Sequence, residues 1–351
     1  MVAIYPFATG EFPLMKAVAY FNSLPIDNPD SLQDVELPAP TPGPRDLLVE
    51  VRAISVNPVD TKVRRNAAPQ NGEAKVLGWD VAGVVRAVGE QVSLFKAGDE
   101  VFYAGSIARA GANSELHLVD ERIVGRKPKS LGFAEAAALP LTSITAWELL
   151  FERLQVREGD AHGQSLLIVG AAGGVGSILI QLARQLTQVK VIGSASRPET
   201  QAWARELGVH EVVDHSQPLD QALKAAGIES VSHVASLTQT DRHFDQLVEA
   251  LAPQGRLALI DDPEQPLDVM KLKRKSLSLH WELMFTRSLF ETPDMIEQHQ
   301  LLNRVSELVD RGVLKTTLGE HFGAINAANL RRAHALLESG KAKGKIVLEG
   351  F

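Results

Sequence analysis

The run Leu166-Leu167-Ile168-Val169-Gly170-Ala171-Ala172-Gly173-Gly174-Val175-Gly176 restricts the fold more than any other part of the chain. An apolar stretch ends on glycine, and Ile178, Leu179, Leu182 and Ala183 follow at helical spacing, so the order is strand, tight turn, helix. Small residues at such a turn let the backbone approach a pyrophosphate, whose charge is held by free N–H groups at the positive end of the helix. The predicted contacts are Gly170, Ala172, Gly173, Gly174, Val175 and Gly176. The glycines at 170, 173 and 176 give Gly-x-x-Gly-x-x-Gly rather than Gly-x-Gly-x-x-Gly, and a packing-only reading of them stands beside the binding one. Residues 163–183 carry no charge over 21 positions, enough to cross a bilayer, but five glycines interrupt the run and no membrane span is predicted.

The end of the next strand selects the cofactor. An acid about 20 positions on would bond a ribose 2′-hydroxyl and repel a 2′-phosphate. The chain instead has Gly193-Ser194-Ala195-Ser196-Arg197. Ser196 and Arg197 therefore point to NADP(H), by a charge-assisted contact of about 1.5 to 3 kcal/mol, roughly a 10- to 100-fold preference. A solvated Arg197 at a helix start is the alternative.

With 351 residues, two domains are expected. The first 135 or so residues read as β-rich, with strands at Leu47 to Val56, Val81 to Val88, Glu100 to Tyr103 and Glu115 to Val119. Beyond Pro140 the texture alternates between strand and helix, with strands predicted at Ser165 to Gly170, Lys190 to Ala195, Glu211 to Val213, Ser230 to Ala235, Arg256 to Ile260 and Leu277 to Leu283. A long helix is predicted to open at Thr292-Pro293-Asp294, where Thr caps and Pro suits the first turn. After Gly312 the texture turns strand-like, closing with Lys345 to Glu349.

The formal net charge of -7 gives no electrostatic reason to bind nucleic acid or an anionic membrane. Zero cysteines exclude disulfides, thiolate zinc sites and a cysteine nucleophile. The segment Met1-Val2-Ala3-Ile4-Tyr5-Pro6 does not read as a signal peptide, and a cytoplasmic location is expected. No Gly-x-Ser-x-Gly elbow of a hydrolase occurs.

From about Met15 onward the chain resembles the medium-chain dehydrogenase/reductase superfamily, in its zinc-free quinone oxidoreductase-like branch. The resemblance rests on Asn57-Pro58-Val59-Asp60, Gly78-Trp79-Asp80-Val81-Ala82-Gly83, Leu139-Pro140-Leu141-Thr142-Ser143-Ile144-Thr145-Ala146, the glycine turn, and Gly344-Lys345-Ile346-Val347-Leu348. It implies an α/β protein: a Rossmann doubly wound parallel sheet over residues 138–294, plus a β-rich GroES-like catalytic domain from 1–137 and 295–351. Zinc members carry Gly-His-Glu where this chain has Gly78-Trp79-Asp80, and cysteines near Asn57 and Leu141, so no metal is expected.

Without a metal to stabilise an alkoxide, the resemblance implies hydride transfer from NADPH to a quinone or an α,β-unsaturated carbonyl. Asn57 matches the family position near the nicotinamide that donates to the substrate oxygen. Asp60 orients neighbouring groups or caps a helix, and Tyr103 is either a cleft hydroxyl or a buried structural tyrosine. Thr145 matches a residue near the nicotinamide ribose, with a helix-start hydroxyl as the alternative. Gly344 and Lys345 match a motif that meets the cofactor phosphates across the cleft. His215 stands where relatives often have Tyr, as a 2′-phosphate contact or a surface histidine. A homodimer through the Leu277 to Phe285 segment is likewise implied. The competing function is an NADPH-binding sensor or structural protein with little turnover.

Overall fold

The computed structural model describes residues 13–351. The expectations for residues 1 to 12 lie outside the described residues. Six parallel strands form one sheet: Ser165–Val169, Lys190–Ser194, Glu211–Val213, Val231–Ser236, Leu251–Leu259 and Ser278–Trp281. Numbered along the chain, their spatial order is 3-2-1-4-5-6, the dinucleotide-binding order. The central strands Ser165–Val169 and Lys190–Ser194 are buried almost throughout, as strands covered on both faces are. The uncharged stretch resolves into the first strand, the glycine turn and the helix Gly174–Leu186, whose Ile178, Leu179, Leu182 and Ala183 are fully buried. Among the described residues no helix is long and apolar enough to cross a membrane.

The second large sheet is built from both halves of the sequence. Its order is Leu318–His321, Lys345–Glu349, Asp46–Val56, Val81–Val88, Glu100–Tyr103, Val124–Arg126, with Leu116–Asp120 also paired to Asp46–Val56. The closing strand is antiparallel to Asp46–Val56, with Ile346 opposite Val56 and Glu349 opposite Ala53. This register places Lys345 beside the segment that starts at Asn57. One apolar core joins the two sheets, including Ile54 and Ile346 from one and Leu166 and Ile168 from the other.

Two expectations are corrected. The helix predicted from Thr292 begins at Glu297 and runs to Asp310. Asp294 does not serve the helix N-terminus, because its carboxylate accepts from Arg287 Nε and Nη2 at 3.1 and 3.0 Å, and the backbone there forms short turns instead. The strand-like reading beyond Gly312 misses the helix Ala327–Glu338, which is capped by Asn326 and buries Leu330, Ala333 and His334 at helical spacing.

Candidate functional site

The glycine turn has the shape a dinucleotide needs. Gly170 sits at φ +82°, a left-handed backbone that costs a side-chain residue strain. A Cβ on Gly176 would lie 2.5 Å from the Ala171 carbonyl oxygen, so that glycine lets helix and strand approach. A Cβ on Gly174 would meet Lys345 Cδ at 2.8 Å and Thr142 Cγ2 at 3.1 Å. Gly173 faces open space, with Gly170 O at 3.5 Å its sole near neighbour. Among the described residues no side chain caps the 13-residue helix that follows, so its first N–H groups stay available for an anion. Ala172 accepts at 2.9 Å from the Gly344 N–H, which ties the closing motif onto this turn.

At the next strand end, Ser194 Oγ accepts from Gly170 N at 3.2 Å and lies 3.0 Å from His215 Nδ1. Burial, then the nearby His243, lowers the His215 pKa. Arg197 is partly exposed beside Ser196; it pairs with Glu199 at 3.0 Å and donates to the Lys341 carbonyl at 3.0 Å. These residues gather at the carboxyl ends of the parallel strands, where such sheets bind ligands. The geometry fits a nicotinamide dinucleotide.

A buried polar cluster faces this turn. Lys345 Nζ lies 2.9 Å from Asp80 Oδ2, donates to Val56 O at 3.1 Å, and bonds Asn57 Oδ1. Asn57 Nδ2 donates to Asp80 Oδ2 at 3.0 Å and to Ser55 O at 3.3 Å. Asp80 Oδ1 accepts the Leu141 N–H at 2.9 Å. Burial raises the Asp80 pKa and the Lys345 charge opposes that rise. Lys345 was expected at the cofactor phosphates; its stem crosses Gly174 while its ammonium rests on Asp80 and Asn57.

Asp60 joins the cluster from the third position of the helix Pro58–Asn66, its Oδ2 accepting from Asn57 N at 2.7 Å. Both readings of Asp60 therefore meet in one contact, since it fixes the helix start and Asn57 together. Its Oδ1 is buried with no hydrogen-bond partner among the described residues, and burial pushes its pKa up to about 7. Thr145 is not at the helix start; its hydroxyl donates to Leu141 O at 2.9 Å. Tyr103 is placed apart from these contacts. It is fully buried, its hydroxyl is 3.0 Å from His117 Nδ1, and burial raises its pKa well above the ordinary value.

Two members of this arrangement escaped the sequence reading. Thr142 stood in a quoted motif without a role, and Asp80 was weighed only as the centre of a metal site, whereas its burial calls for a compensating cation.

Residues at the family's zinc positions do not suit zinc. The Trp79 indole donates to Ser106 O at 3.2 Å and offers no lone pair, and both Asp80 oxygens already accept hydrogen bonds. Among the described residues no group of three or more His, Cys, Asp or Glu could hold a metal ion.

A sheet of order 3-2-1-4-5-6 with a glycine turn, closed by a second sheet from both ends of the chain, defines a nucleotide-dependent dehydrogenase or reductase class. The alcohol dehydrogenase GroES-like domain family matches residues 43–147, and the zinc-binding dehydrogenase family matches residues 207–348. A zinc-type alcohol dehydrogenase-like protein of Staphylococcus epidermidis is 37% identical over 336 residues, 95% of this chain and 99% of that protein. A solved Rhizobium etli structure, described as a candidate zinc-dependent alcohol dehydrogenase, is 58% identical with a TM-score of 0.93, over 97% of this chain and 99% of that one. The Escherichia coli quinone oxidoreductase, solved with NADPH, is 25% identical with a TM-score of 0.80, over 95% of this chain and 99% of that one. The chain belongs to the medium-chain dehydrogenase/reductase superfamily, in its quinone oxidoreductase-like branch.

Proposed function

We propose that this oxidoreductase is an NADPH-dependent, metal-free reductase of quinones or α,β-unsaturated carbonyls. The observation that carries the reading is the buried Lys345–Asp80–Asn57 cluster, in which the acid and the amide that stand at positions matched to zinc ligands in the resembled family hold an ammonium instead. The bound cofactor would supply a hydride. Gly173, Gly174 and Val175 would hold its pyrophosphate, and Ser196 and Arg197, with His215 nearby, its 2′-phosphate. Arg197 would exchange Glu199 and the Lys341 carbonyl for that phosphate.

Asn57 would donate to the substrate oxygen as negative charge develops there. Both of its amide hydrogens are occupied, so it would release one, on Asp80 or Ser55, to the substrate. Asp60 would hold Asn57 in place. The division at residues 138–294 and a cytoplasmic location belong to the same reading. A homodimer does too, supported by the edge strand Ser278–Trp281, which among the described residues pairs on one side only, and by Trp281 and Leu283, each more than half exposed.

The test is NADPH consumption against a panel of quinones and enones, with Asn57→Ala as control and elemental analysis of the purified protein. Turnover without zinc, reduced in Asn57→Ala, supports the proposal. Tight NADPH binding with no oxidation across the panel favours a sensor or structural role, and stoichiometric zinc overturns the metal-free chemistry.

A further inference from the structure

At the opposite edge of the parallel sheet, where its strands begin, lies a cavity of about 930 Å³. That volume is within the usual range for small-molecule sites. Gln164 precedes the strand Ser165–Val169, His233 lies near the start of Val231–Ser236, and Arg256 stands opposite His233 in the register. All three are at the strand ends away from the glycine turn, so this cavity is separate from the dinucleotide site.

Its wall combines aromatic and cationic groups. Trp147 and Phe151 present tilted rings with centroids 4.8 Å apart. Arg157 and Arg256 have no ion-pair partner among the described residues, whereas the neighbouring Glu158 is held by Arg304 at 3.4 Å. Asp160 is the other acid on this wall, so the unpaired charges sum to one positive. Three lining residues other than glycine adopt left-handed backbone: Gln155 at φ +55°, Ala161 at +78° and Gln254 at +65°. Each such position costs about 1 to 3 kcal/mol, and strain of this kind clusters at ligand sites.

We propose that this cavity binds a planar aromatic monocarboxylate, with its ring on Trp147 and Phe151 and its carboxylate on the guanidinium groups of Arg157 and Arg256. Guanidinium and carboxylate form paired, charge-assisted hydrogen bonds, and aromatic rings pack favourably on tilted neighbours. A single excess positive charge favours a monoanion over a polyphosphate. The site is independent of the reading of the cofactor turn.

Isothermal titration of the full chain with naphthalene-2-carboxylate, with and without saturating NADPH, tests the proposal. We expect one saturable site that NADPH does not displace. Arg157→Gln and Arg256→Gln should each weaken binding by about tenfold or more. The neutral 2-naphthamide should bind at least about tenfold more weakly for the same reason. Lys96→Gln, a change at an exposed position outside the cavity lining, should leave the affinity unchanged, and circular dichroism checks that each variant is folded. Absence of saturable binding into the millimolar range, undiminished affinity in both folded cavity variants, or displacement by NADPH would overturn it.

Discussion

Lys345 and Asp80 form an ion pair of 2.9 Å with side chains 3% and 0% exposed, and it joins the last strand of the chain to the segment beside Asn57. Removing one member of such a pair leaves a charge without compensation in a medium that solvates it poorly. Lys345→Met should therefore destabilise the fold by about 3 to 5 kcal/mol. Adding Asp80→Asn should restore most of that loss, because the orphaned carboxylate is then gone. Urea unfolding of both singles and the double variant measures the coupling; additive losses would contradict it.

The Asp60 carboxyl, about 3.8 when unperturbed and pushed up to about 7 by burial, makes stability depend on pH. Between those values the folded state binds more protons than the unfolded one, so its contribution is full below pH 4 and is lost as pH rises through 7. The loss is on the order of a few kcal/mol. Asp60→Asn should flatten this part of the profile. Unfolding midpoints from pH 4.5 to 8 check it; an unchanged slope in the variant would refute the assignment.

Arg197→Ala should weaken NADPH binding roughly 10- to 100-fold and leave NADH nearly unaffected. Dissociation constants for both cofactors, read by fluorescence, decide the matter. Equal effects on the two would show that Arg197 touches something other than the extra phosphate.

Two alanine substitutions in the glycine turn should part company. Gly176→Ala puts a methyl 2.5 Å from the Ala171 carbonyl oxygen, and should cost about 1 to 3 kcal/mol of stability. Gly173→Ala meets open space at φ -72°, so the fold should tolerate it while NADPH affinity falls by about tenfold or more as the methyl holds the pyrophosphate away. Thermal melts and NADPH titrations of both variants distinguish the roles. Unaltered affinity in Gly173→Ala would remove the pyrophosphate from this turn.

The parallel sheet was legible because most of its strands contain a local apolar run close to turn residues. Ser165–Val169 and Lys190–Ser194 begin at the predicted residues. Leu251–Leu259 begins earlier than its apolar run, since Pro253-Gln254-Gly255 resembles a turn yet lies within a strand whose register to Val231–Ser236 is irregular. The glycine turn carried its own chemistry in its spacing. The partnership of Lys345 with Asp80 carried none, because it depends on Ile346 pairing with Val56 across almost the whole chain. Asp294 misled for a related reason: a local cap pattern cannot reveal that Arg287 takes its carboxylate.

The pairing of Lys345–Glu349 with Asp46–Val56 also governs when the protein becomes competent during synthesis. A ribosome releases the residues around Asn57 long before the strand that supplies their ammonium partner, so the nascent amino-terminal half waits with Asp80 uncompensated. A polypeptide ending before Lys345 would keep its glycine turn and leave Asp80 without its cation.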